Sequence, residues 1–253
     1  MKEILVQELL TYFLKEERAY ASIKVPTNYE EKRQLLRGLI NRRPPEKINA
    51  SILEKESHLL QLELQEKCIT DANSFKEKLV LWQGDITTLK CDAIVNAGNA
   101  YLLGCFVPNH TCIDNAIHTY AGISLRLACQ EIMQGTTLPN GEVKFTKGYN
   151  LPCQYVFHTV GPQISDNRYV SNEEQQELRN CYLHCLSLSK QLSVRTIAFP
   201  CISTGLYGYP KMEAAKLALK TVKQYLLQND KVFDHIIFNV FSKEDKVIYE
   251  SLL

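Results

Sequence analysis

Along residues 1–75 the apolar positions recur every three to four residues, as at Ile4, Leu5, Leu9, Tyr12 and Phe13, with Lys- and Glu-rich faces between them. That period predicts amphipathic helices and no strands in this part of the chain. Thr27 and Glu30 have capping-box spacing ahead of Leu35, Leu36, Leu39 and Ile40, so a second helix is predicted to start at Thr27. Pro44-Pro45 separates it from a third helix over 50–67. Beyond Phe75 the pattern changes to short β-branched runs alternating with amphipathic stretches. Strands are predicted at 78–83, 93–96, 142–147, 155–160, 196–200 and 234–240, and helices at 114–133, 172–191, 211–227 and 243–252. Such alternation implies an α/β fold around a largely parallel sheet. The chain is expected to divide into a helical N-terminal extension, 1–75, and an α/β domain, 76–253. Several strands run into Gly- and Asn-rich loops, and open sheets of this class bind ligands beyond the carboxyl ends of their strands.

Charge narrows the possible partners. Lys and Arg total 29 and Asp and Glu 28, a net charge of +1, so nothing favours nonspecific binding to nucleic acid or to an anionic membrane, and neither partner is expected. The basic cluster Lys32, Arg33, Arg37, Arg42, Arg43 and Lys47 reads as a solvated helix face. The longest uncharged stretch, 93–113, contains Asn96, Asn99, Pro108, Asn109 and His110, which bilayer hydrocarbon does not accommodate. Glu3 and Glu8 interrupt the N-terminal apolar run and no small-residue cleavage site follows, so no signal peptide is expected and the chain reads as cytoplasmic. Nine scattered cysteines suit reduced thiols or a metal site better than a disulfide framework.

Four loops carry candidate chemistry. Gly84-Asp85-Ile86-Thr87 places an acid at a strand end, either as a cap or as a ligand contact. Asn96-Ala97-Gly98-Asn99 offers two amides and a glycine after a buried-looking strand, suited to sugar hydroxyls but also to ordinary turn chemistry. Ser203-Thr204-Gly205-Leu206-Tyr207-Gly208 lies between a strand and a helix, where exposed backbone N–H groups can cradle a pyrophosphate; a plain connection is the other reading. The sharpest is Cys105, His110 and Cys112 in the spacing C-x4-H-x-C. Thiolate and imidazole are preferred zinc ligands, and three protein ligands leave a position open for water or substrate. Incidental thiols beside a loop histidine remain the alternative. Asp114 and His118 follow on one helix face, with Asp114 either a cap or a functional acid and His118 supporting it from behind. His158 reads as structural. Asn180, Cys181, His184 and Cys185 lie in an ordinary amphipathic helix and are not taken as a site.

Together GDIT, NAGN, the helix start carrying Ile113, Asp114 and His118, YVFHTVGP and STGLYGYP resemble a macrodomain, the ADP-ribose-binding module, over about residues 79–240. The family's glycine-rich GGGVD stretch is replaced here by the longer cysteine and histidine loop. That departure, with the helical extension, is similar to the zinc-dependent macrodomains of bacterial and fungal pathogens. The resemblance implies a three-layer α/β/α fold with a mixed, mostly parallel sheet, and a zinc-dependent hydrolase that removes mono-ADP-ribose from carboxylate side chains of modified proteins. It implies one zinc ion on Cys105, His110 and Cys112, with Asn99 and Asp114 as catalytic residues. ADP-ribose would be bound by Asp85, Ile86, Asn99, Ser203, Thr204, Gly205, Leu206, Tyr207 and Phe241. Partners implied are a lipoyl-carrier protein and a sirtuin-like ADP-ribosyltransferase. A non-catalytic ADP-ribose reader with a structural zinc, and an O-acetyl-ADP-ribose deacetylase, are the competing expectations.

Overall fold

The computed structural model describes residues 1–164 and 169–253. Six strands, β2 (Leu79–Gln83), β4 (Ala93–Ala97), β5 (Val143–Lys147), β6 (Tyr155–Thr159), β7 (Thr196–Phe199) and β8 (His235–Val240), form a sheet in the order β2-β8-β7-β4-β6-β5. All pairs are parallel except β5 with β6. The central strands alternate their side chains between two cores because successive residues point to opposite faces. Ala93, Val95, Ile197, Phe199, Ile236 and Phe238 face α6 (Asn172–Gln191), α7 (Lys211–Asn229) and α8 (Lys243–Glu250). Ile94, Ala198 and Ile237 face α4 (Ile113–Ala121) and α5 (Ile123–Met133). The result is the expected three-layer α/β/α arrangement. Among the described residues no helix is long and apolar enough to cross a membrane.

The helix expected over 114–133 is two helices. Gly122 sits between them at φ 93, and a Cβ there would come within 3.1 Å of Glu56 Oε2, Asn150 Nδ2 and Leu60 Cδ1. A left-handed backbone position packed this closely is one that glycine occupies without penalty. The apolar pattern runs on through the break, which is why the sequence reads as continuous.

The extension comprises α1 (Lys2–Phe13), α2 (Tyr29–Arg42) and α3 (Ala50–Gln65), which bury Val6, Leu9, Leu10, Phe13, Leu36 and Leu59 among themselves. Helix α2 is capped by Asn28, not Thr27: the Asn28 side chain accepts from the Glu31 N–H at 2.8 Å. Nor is this part of the chain purely helical. Residues Thr70–Asp71 form β1, which pairs in parallel with β3 (Leu89–Lys90), a strand the sequence did not indicate.

The extension is joined to the sheet domain along α5, whose Ile123 and Leu127 complete the extension's apolar core. Polar contacts add to this join. Glu56, on α3 and buried, accepts the Ile123 N–H at 2.9 Å, serving as a cap from a distant segment for a helix whose own N-cap is Gly122. Arg126 Nη1 donates to the carbonyls of Ile40 and Arg43 at the end of α2, at 2.8 and 2.6 Å, where the helix dipole favours a cation. The basic cluster is therefore only partly a solvated face. Arg33 forms a two-pronged pair with Glu63 at 2.6 and 3.0 Å, and Arg43 is buried against Glu16. Arg37 points into the sheet domain. Only Arg42 and Lys47 of the six are exposed.

Candidate active site

A cavity of about 330 Å³ opens at the carboxyl ends of the parallel strands, where crossover connections diverge and leave a crevice. Its walls bring together Asn99, Cys105, Cys112, Asp114, residues 203–207 and Phe241, which lie far apart in sequence. The loop after β7 is held open by its own bonds. Gly208 N–H donates to Gly205 O at 3.0 Å and Tyr209 N–H to Ser203 O at 3.0 Å. The N–H groups of Gly205, Leu206 and Tyr207 have no partner among the described residues. Successive unpaired N–H groups in such a loop can bind an anion. Ser203 adopts φ 64, and its hydroxyl packs so closely on Gly161 that a Cβ there would come within 2.1 Å of it, so only glycine fits opposite the loop.

At the other end, Asp114 is buried in the first turn of α4. Asn96 Nδ2 donates to its Oδ1 at 2.8 Å and Asn99 Nδ2 to its Oδ2 at 3.4 Å. Burial pushes its carboxyl up to about 6, against the Asn96 hydrogen bond and the Arg126 charge. Asp114 does not cap α4; Cys112 does, its Sγ accepting from Asn115 N–H at 3.4 Å. Asn99 also staples the loop, donating to Gly104 O at 3.1 Å and accepting from Tyr101 N–H at 3.1 Å. Behind Asp114 lie His118, with Nε2 3.6 Å from Asp114 Oδ1, and His158, with Nε2 3.0 Å from Thr146 Oγ1. Burial lowers His158 to about 3 and takes His118 well below its ordinary value, so both rings are neutral at physiological pH. Cys181 and Cys185 are core residues, and His184 Nδ1 contacts Gly141 O at 2.8 Å.

Cys105, His110 and Cys112 place one ligand atom each within 4.8 Å of one another. Burial, with Cys105 and Asp114 adding to it, pushes the Cys112 thiol up to about 12 against the Asn115 hydrogen bond. A cation offsets this cost by stabilising the thiolate, so two soft sulfurs and an imidazole fit zinc.

Asp85 and Ile86 stand outside the residues that line the cavity. Asp85 Oδ1 accepts from Thr87 N–H and Oγ1 at 2.9 and 2.7 Å, capping a 3-10 turn, while Oδ2 lies 3.7 Å from Lys67 Nζ. Ile86 is buried. Among the lining residues the sequence did not single out are two polar ones, Asn239 and Asp245. Asn239 donates to Gly84 O at 2.9 Å, and its signal was a polar residue in the otherwise apolar strand HIIFNV. Asp245, beside Ser242 at the start of α8, gave none.

Against known proteins, the Macro domain family matches residues 95–218. The chain is 41% identical over 254 residues to a protein-ADP-ribose hydrolase of Treponema medium, covering 97% of this chain and 96% of that one. It is 44% identical over 232 residues to a protein-ADP-ribose hydrolase of Staphylococcus aureus (strain MRSA252), covering 89% and 86%. The structure of a Trypanosoma brucei macrodomain in complex with ADP-ribose matches with a TM-score of 0.65 at 30% identity, covering 82% of this chain and 91% of that one. An Oceanobacillus iheyensis macrodomain with ADP matches at 0.60 and 40%, covering 68% and 87%. With its strand order, its crevice and these likenesses in agreement, the chain belongs to the macrodomain family.

Proposed function

We propose that this protein is a zinc-dependent hydrolase that removes mono-ADP-ribose from aspartate or glutamate side chains of modified proteins. One observation carries the reading: the cysteine pair lines the same cavity as Asn99 and Asp114, so metal ligands and polar catalytic groups share one space. The hydrolase names of relatives that align along most of the chain support the reaction class, and the ADP-ribose complex of the trypanosomal macrodomain supports the ligand. Phe241, 79% exposed at the rim, stacks on adenine, with Asp85 accepting its amino group and Ile86 offering backbone. Residues Ser203, Thr204, Gly205, Leu206 and Tyr207 wrap the pyrophosphate, the unpaired N–H groups of Gly205, Leu206 and Tyr207 facing it. Asn99 and Asp114 orient the distal ribose and the incoming water, which adds at the ribose carbon as the acceptor's carboxylate leaves. Cys105, His110 and Cys112 would hold a zinc ion, which when bound would supply Lewis-acid chemistry beside Asn99 and Asp114. By resemblance to the zinc-dependent subgroup, the acceptor is a lipoyl-carrier protein modified by a sirtuin-like ADP-ribosyltransferase. Nine free cysteines support a reducing, cytoplasmic setting.

The test is release of ADP-ribose from an aspartate-linked modified protein by native, chelator-stripped and zinc-restored enzyme. Turnover lost on stripping and regained with zinc is expected. Binding of ADP-ribose without turnover in any form would replace the hydrolase with a reader. Calorimetry tests the nucleotide's orientation: Asp85→Ala is expected to weaken ADP-ribose about 10-fold, the worth of one hydrogen bond to a charged group, and unchanged affinity would reverse the assignment.

A further inference from the structure

The loop that carries the three metal ligands has little regular backbone bonding to hold it. Leu102, Gly104 and Asn109 adopt φ 57, 81 and 55, and its internal backbone bonds are Leu102 N–H to Asn99 O and His110 N–H to Val107 O. Side chains bind the rest. Asn115 Nδ2 donates to Cys105 O and Val107 O at 3.3 and 3.0 Å, and Arg126 Nε donates to Leu103 O at 2.7 Å. Asn99 staples it at Gly104 and Tyr101, and further holds come from α2 of the extension, about seventy residues earlier in the chain. Asn41 Oδ1 accepts the Asn109 N–H at 3.0 Å, while its Nδ2 donates to Thr119 Oγ1 at 3.1 Å. Gly38 lets α2 approach, since a Cβ there would already lie 3.3 Å from Asn109 Nδ2. Arg37 Nη2 donates to His110 O at 3.0 Å and to Asn115 Oδ1 at 2.7 Å. One guanidinium nitrogen thus grips the backbone of the histidine ligand and the amide that grips the backbone of Cys105.

We propose that Arg37 is a positioning residue of the metal centre, fixing the spacing of His110 relative to the cysteine pair so that the helical extension sets the affinity of the site. The inference rests on the reading that Cys105, His110 and Cys112 hold zinc. Ligand residues roam when their backbone is loose, and ordering them on binding costs affinity; a rigid anchor removes that cost beforehand. Arginine suits the task because its planar fork keeps its donors fixed and charged.

Arg33 provides the control. It lies one turn earlier on α2, pairs with Glu63 inside the extension, and has no hydrogen bond to the loop. In the full-length protein, zinc affinity is measured by competition with a chromogenic chelator, and alkylation of Cys105 and Cys112 is timed in metal-free samples. Arg37→Met is expected to weaken zinc about 10- to 100-fold, the range for partners that orient metal ligands, and to speed alkylation. Arg37→Lys, which keeps a charged donor, is expected to recover part of both, and Arg33→Met to change neither. Equal losses in Arg33→Met and Arg37→Met would overturn the proposal by showing that general stability of the extension is at work. Unchanged zinc affinity in Arg37→Met would overturn it directly. A wild-type protein that binds no zinc would remove the metal reading instead. The alkylation rates then decide the clamp alone, and equal rates in wild type and Arg37→Met would sink it.

Discussion

Cys112→Ala is expected to keep its fold and to lose zinc together with more than about 100-fold of its turnover, since a direct ligand counts for more than the outer partners whose loss costs up to about 100-fold. Stability is expected to change little, because the side chain belongs to neither sheet core. What it does give the fold is a weak cap, its Sγ accepting the Asn115 N–H, and losing an N-cap costs about 1 kcal/mol. In a chain of 253 residues that moves the melting temperature by about 2–4 °C. Cys112→Ser separates the two roles. A serine hydroxyl is a good N-cap but a poor zinc ligand at neutral pH, so this variant is expected to melt like wild type and still lack metal and turnover. Thermal melts, metal analysis and ADP-ribose release on the same samples decide it, and full turnover by extensively chelated Cys112→Ser would end the metal mechanism.

A second large effect lies away from the site. Glu56 is buried, and burial raises its carboxyl from 4.5 to about 7 despite the Ile123 N–H and the nearby Arg33, Arg126 and Arg43. The unfolded chain releases this proton near 4.5, whereas the folded one keeps it until about 7. Between those values the folded state binds more protons, so stability falls as pH rises through the window and is level above it. The span corresponds to about 3 kcal/mol. Glu56→Gln keeps an oxygen acceptor for Ile123 and does not titrate. Relative to wild type it is expected to gain about 3 kcal/mol between pH 4.5 and 8, read from denaturant midpoints. Parallel stability curves for the two proteins would show that Glu56 ionises freely in the folded state.

The strands and most helices were legible because a buried parallel strand leaves a β-branched run and an amphipathic helix leaves its period. The cluster of Cys105, His110 and Cys112 was legible because its spacing is local: the three need only one loop to meet. What escaped depends on contacts between distant segments. Asn28 and Thr27 are adjacent and both cap well, and only the backbone chooses between them. The break at Gly122 is set by Glu56 and Leu60 pressing from α3. Arg33, Arg37 and Arg43 looked solvated because a helix's polar face reads the same whether it meets water or the polar flank of another unit. Asp245 reaches the cavity because α8 folds back beside β8, a juxtaposition that no local pattern encodes.

The seam where Arg126 meets the end of α2 and Glu56 meets the start of α5 also governs how the chain can be cut and recombined. A greasy seam tolerates exchange, since one apolar face serves nearly as well as another of similar shape. This one adds individual donors and acceptors to the apolar contact of Ile123 and Leu127. A sheet domain severed at residue 75 would carry a guanidinium without the carbonyls of Ile40 and Arg43 and a helix without its borrowed cap. Extension and sheet domain are therefore a matched pair, to be shortened, swapped or grafted together.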